Sequence, residues 1–169
     1  MTSHDIRIFG DPVLTSRADE ITAFDDSLKH LVEDMFDTMD AAGGVGLAAN
    51  QIGVLRRVFV FDCTTEEDGM RGHIINPQWE PVGEETQLGP EGCLSIPEVL
   101  ADTERYQTVR VTGYDYDGNP LTITVSGLMA RCIQHETDHL DGVLFLRRLT
   151  PERRKEAMAY IRQADWFNK

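Results

Sequence analysis

Gln134–Gly142 reads QHETDHLDG, two histidines four residues apart with a glutamate directly after the first. The segment leading into it, from Gly127, sets Leu128, Met129, Cys132, Ile133, His135, Glu136, His139 and Leu140 at helical spacing. Ser126 stands where an N-cap is wanted and Gly142 suits the C′ position. On a helix rising 1.5 Å per residue, positions 135 and 139 lie about 6 Å apart on one face, so their imidazoles can converge on one ion. Glu136 sits about 100° further round, able to reach a water on that ion without being a ligand.

The segments upstream are of another kind. TVRVTGYDYDGNPLTITVSG (108–127) holds two strand-like runs joined at Asp117–Gly118, a hairpin signal, and RRVFVFDC (56–63) alternates as a strand does. Pro77 and Pro81 in IINPQWEPVG predict an extended edge segment with turns. Asp25 or Asp26 can cap a helix whose Leu28, Leu31, Val32, Met35 and Met39 form an apolar stripe ending at Gly43–Gly44. A last helix begins at Pro151, in PERRKEAMAYIRQADWF. Strands followed by helices predict an α+β fold, with antiparallel or mixed sheets around a central metal-binding helix and a further helix near each end. The 169 residues suit one domain, 1–169.

Composition narrows the function. The formal net charge of −13 argues against free DNA as a partner. No run approaches a membrane span, and MTSHDIRIFGDP carries no export-signal pattern, so a cytoplasmic protein is expected. The three scattered cysteines form no disulfide framework.

A catalytic ion needs a third protein ligand. The frame HExxHxxGxxH fits through Gly142 but ends on Phe145, and an endopeptidase would need some other ligand downstream of Gly142. Glu152 and Glu156 read as dipole partners in the first turn of the last helix. Cys132 is seven residues from His139, about 10.5 Å of helix rise, too far for both to meet one ion. Cys63 reads as buried packing. Cys93, in PEGCLSIP beside Gly92, can bring a thiolate to the helix from a separate segment. Two nitrogens and one sulfur leave a fourth position for water, the arrangement of a catalytic site.

Three segments, GVGLAANQ (44–51), EGCLS (91–95) and QHETDHLDG, resemble the motifs of the peptide deformylases, in the same order, with GDPVL and SIPE adding to the likeness. The resemblance implies that Cys93, His135 and His139 hold a divalent ion, commonly Fe²⁺, with Zn²⁺, Ni²⁺ or Co²⁺ also accepted. It implies hydrolysis of the formyl group of N-formylmethionine on nascent polypeptides, a metal-bound water attacking while Glu136 serves as general base and then acid. The Gln51 amide and the Leu94 N–H would meet the oxyanion. Val45 and Gly46 would pair with the peptide as an added strand. Leu128 and Cys132 either line the methionine slot with Val45 or belong to the ordinary core. Glu91 is counted among the substrate-binding residues, and it and Asp138 are expected to position loop and helix rather than do chemistry, with Asp138 bonded to Arg105. Some relatives carry a basic residue shortly after SIPE that binds the peptide main chain; Leu100 stands there here, so affinity rests more on backbone pairing. ADWFNK lacks the basic extension that some relatives present to the ribosome, leaving Arg153, Arg154, Lys155 and Arg162 as a modest stretch for transient ribosome contact.

Overall fold

The computed structural model describes residues 2–168. Helix α1 (Asp26–Ala42) is capped by the Asp25 side chain, which accepts the Leu28 N–H, and stops at Gly43 in the left-handed conformation, φ 68°. There follow β1 (Gly46–Ala48), β2 (Val58–Asp62), β3 (Arg71–Pro81), β4 (Thr86–Cys93), β5 (Ile96–Tyr106), β6 (Thr108–Tyr114) and β7 (Pro120–Ser126). Helices α2 (Gly127–Leu140) and α3 (Pro151–Gln163) complete the order. Five strands make an antiparallel sheet in the order β1-β2-β3-β6-β7, and β4 and β5 pair as a separate antiparallel ribbon. The α+β expectation holds.

The run VFVFD of β2 is buried on both faces, and its alternation divides the sheet's two contacts. Phe59 and Phe61 pack with Met129, Cys132, Ile133 and Leu140 of α2. Val58 and Val60 pack with Leu28, Val32, Met35 and Met39 of α1. A third cluster joins Ile96 and Val99 of β5 to Phe145, Leu146 and the α3 residues Ala157 and Ile161. Each Val, Leu, Ile, Phe or Met among these contributes about 1.5–3 kcal/mol when fully buried. Helix α2 therefore lies between a sheet and a ribbon, buried from Met129 to Leu140.

Three local expectations need correction. β3 is not an edge: it is hydrogen-bonded to β2 and β6. It accommodates Pro77 at a register shift between Ile75 and Gln78, where Asn76 takes φ 51°. Ser126 occupies the N-cap position of α2, but its side chain makes no capping bond and pairs instead with the Thr108 hydroxyl at 2.7 Å. The last helix ends at Gln163, short of the expected Phe167.

Candidate metal centre

The β4–β5 ribbon carries Cys93 at its turn, where β4 ends, and presents it to α2. Cys93 Sγ lies 3.3 Å from His139 Nε2, which lies 3.2 Å from His135 Nε2, and the three donor atoms fall within 4.8 Å of one another. Tetrahedral metal bonds of about 2.0–2.3 Å set donor separations of roughly 3.3–3.6 Å, so the spacing fits one ion. The chemistry of the set agrees. The Glu91 carboxylate accepts from His135 Nδ1 at 2.7 Å, which directs the Nε2 lone pair toward the other two donors.

Burial pushes His139 well below the ordinary histidine range, and His135 adds to the effect. His135 moves up: burial opposes its protonation, but the Glu136 charge and the bonds to Cys93 and Glu91 outweigh it. A divalent ion taken up by both Nε2 atoms needs both nitrogens free of protons, so uptake strengthens as pH rises.

Glu91 is the centre of a buried ionic group. Arg105 donates to both its oxygens, at 3.0 and 2.6 Å, and Arg131 Nη1 donates at 2.8 Å. Arg105 also donates to Asp138 at 2.8 Å, the bond expected from the sequence, and Arg148 closes on Asp138 with two bonds. Burial pushes Glu91 up, but His135 and Arg105 more than reverse this and hold it well below the carboxylate range. A group depressed in this way stabilises the fold above its unfolded pKa, near 4.3, and that contribution fades as pH falls below it. Glu91→Gln, which strips the charge from beneath two buried arginines, should cost about 3 kcal/mol by denaturant unfolding at pH 7. It should also weaken metal affinity about 10- to 100-fold. A loss under 1 kcal/mol would show that Glu91 does not hold this group together.

Glu136 is buried, its Oε1 has no partner among the described residues, and its Oε2 is 4.0 Å from His135 Nε2. Burial lifts it to about 7, with His135 pulling it down and Glu91 pushing it up. A carboxyl poised there can take and return a proton near neutral pH. Gln51 is oriented by the Ala48 N–H, which donates to its Oε1 at 2.9 Å. Its amide nitrogen donates to Ser95 Oγ at 3.0 Å and lies 3.7 Å from Cys93 Sγ.

A cleft of about 400 Å³ opens over these groups, lined on one side by Gly43–Gly46 and on the other by Cys93, Leu94, Glu98 and Leu100, with Gln51, His135 and Glu136 as its floor. Leu94, Val45 and Gly46 thus join Cys93 and His135 around one space, while His139 is fully buried beneath it and does not line it. Glu91 does not line it and acts behind His135. Leu128 and Cys132 are also outside its lining: both pack in the cluster between sheet and α2, Cys132 with its thiol 3.6 Å from the Val45 carbonyl. Leu100 is 74% exposed on the rim, and no Lys or Arg among the described residues lines the cleft.

Gly46 is required by close approach rather than by its own torsion angles. A Cβ there would fall 2.5 Å from Glu136 Oε2 and 2.9 Å from Cys132 Sγ. Gly46→Ala should therefore displace Glu136 and lower turnover about 10- to 100-fold while circular dichroism stays unchanged. An unaltered rate would mean that Glu136 has room to move.

Phe145, where a zinc endopeptidase of the matching frame has its third histidine, stacks on His135 with ring centroids 6.0 Å apart. Glu152 and Glu156 are exposed on α3 and take no part in the donor group. Residues not singled out from the sequence are Arg131, Arg148 and Ser95. Arg131 left a signal, a charge four residues before His135 on a helix otherwise reading as buried.

The family model described as "Polypeptide deformylase" matches residues 3–155. The chain belongs to the polypeptide deformylase family. Peptide deformylase 1 of Corynebacterium efficiens is 69% identical over the full length of both chains. The crystal structure of peptide deformylase from Thermus thermophilus matches with TM-score 0.87 and 39% identity, over 95% of this chain and 94% of that one. The peptide deformylase from Legionella pneumophila matches with TM-score 0.86 and 39% identity, over 94% and 92%. The chain is a metal-dependent hydrolase that removes the N-formyl group from nascent polypeptides, and the Cys93–His135–His139 group is where its described residues can hold a metal.

Proposed function

We propose that Cys93, His135 and His139 hold Fe²⁺ and that Glu136 moves the proton in deformylation. The observation that carries this reading is a buried carboxylate without a protein partner for Oε1, set beside three converging soft and borderline donors. The ion, when bound, supplies Lewis acidity that polarises the formyl oxygen and acidifies the attacking water. Glu136 accepts the water proton and returns it to the leaving amine. The Gln51 amide and the Leu94 N–H stabilise the negative charge that develops on the formyl oxygen. Val45 and Gly46 hydrogen-bond the peptide backbone as a strand added beside β1. Val45, with the Cys132 thiol packed against its carbonyl, faces the methionine side chain, Leu128 belongs to the core between sheet and α2, and Glu91 fixes His135 rather than touching substrate.

Imidazole and thiolate suit Zn²⁺, Ni²⁺ and Co²⁺ as well, so these are the other occupants expected after aerobic purification. Anaerobic purification, metal analysis and a formate-release assay on formyl-methionyl peptides test the whole reading. Iron with fast turnover supports it, and absence of formate release with any of the four metals overturns it.

The whole chain acts as one catalytic domain in the cytoplasm; no described helix is long and apolar enough to cross a membrane. Arg153, Arg154, Lys155 and Arg162 give α3 a basic stretch for brief ribosome contact. Cosedimentation with ribosomes should fall when the chain is truncated before Pro151, and unchanged binding would remove α3 from that role.

A further inference from the structure

The catalytic cleft does not end at its rim. Glu98, Val99 and Leu100 line it on one side and, on the other, line a second groove of about 330 Å³ between β5 and α3. That groove is continued by Asp102, Arg153, Glu156 and Tyr160. The ridge between the two spaces is backbone in an unusual conformation, Glu98 having φ 65°, and its side chain accepts a hydrogen bond from the Tyr160 hydroxyl at 3.3 Å. Leu100 stands on the ridge at 74% exposure and Tyr160 stands in the groove at 48%. Three carboxylates, Glu98, Asp102 and Glu156, face one guanidinium, Arg153, which forms no ion pair among the described residues.

We infer that the groove between β5 and α3 is a second peptide site, taking the part of the nascent chain beyond the residues in the catalytic cleft and favouring cationic side chains there. The inference rests on the deformylase reading of the cleft. Its occupant follows from continuity, because a chain leaving the cleft past Leu100 enters the groove without leaving the surface. Its charge preference follows from the excess of carboxylates. Each exposed pair is worth little alone, so two or three together give a several-fold effect that salt removes.

The test compares formyl-Met-Ala-Ser with hexapeptides that extend it by three lysines, three serines or three glutamates. With the metal-loaded enzyme in low salt, the lysine hexapeptide should show KM about 3- to 10-fold below that of the tripeptide, and the glutamate one should show no gain. The ratio of lysine hexapeptide to tripeptide should collapse toward one in 0.5 M salt and in the Asp102→Asn, Glu156→Gln double variant. It should survive in Glu84→Gln, Glu85→Gln, a pair in the turn before β4. Calorimetry with the deformylated peptides should give the same contrast without turnover. Equal KM values for all peptides, or a lysine gain that persists in the groove variant or vanishes in the turn variant, would overturn the groove. Absence of formate release from every peptide would instead sink the deformylase reading beneath it.

Discussion

Glu136→Ala should keep its metal and lose formate release by at least about 10²-fold, the loss expected when a positioned proton-transfer group is removed. Oε1 makes no bond to the rest of the described chain, so little structure depends on it. Truncation also relieves a buried carboxyl that burial has already lifted to about 7, and the fold should be no less stable. The outcome is a drop in kcat with metal content and unfolding midpoint retained. Turnover within a few-fold of the parent enzyme would take the proton-transfer role away from Glu136, and loss of metal would make it a ligand.

Cys93→Ala should have the other signature. The two helix nitrogens remain, but the donor from the ribbon is gone, and metal affinity should fall by more than about 100-fold, since even partners behind a ligand are worth 10- to 100-fold. Turnover should disappear with the metal and return in part at high metal concentration. Dialysis against a chelator of known affinity, followed by metal analysis, separates the cases. Full retention of metal would favour an endopeptidase-like site with its third ligand elsewhere.

The contrast between these variants reflects what the sequence could say. The helix was legible because its apolar residues and histidines share one 3.6-residue period, and β2 because VFVFD is too short and too β-branched and aromatic to be much else. The β4–β5 ribbon was not legible. TQLGPEGC contains glycines and a proline, its faces are only partly buried, and it pairs with β5 alone, so neither alternation nor a continuous apolar run marks it. Yet this ribbon delivers Cys93, Leu94 and Glu91. Cys93 was found by its chemistry and by motif resemblance. The network of Arg131 and Arg148 needed tertiary contacts, because nothing local distinguishes a buried, paired arginine from a solvated one. Pro77 misled for the opposite reason: local rules put it at an edge, while a bulge allowed it into the middle of a sheet.

The position of Cys93 and His135 on separate elements has a consequence for the unfolded chain. They are 42 residues apart in sequence, and a disordered polypeptide would have to close that loop, at an entropic cost of about 4 kcal/mol, before its thiol could help two histidines grip an ion. The native chain has closed it already. An ion held as proposed by Cys93, His135 and His139 would be a removable cross-link between the ribbon and the central helix, one that recognises the folded state and resists being captured by the denatured one.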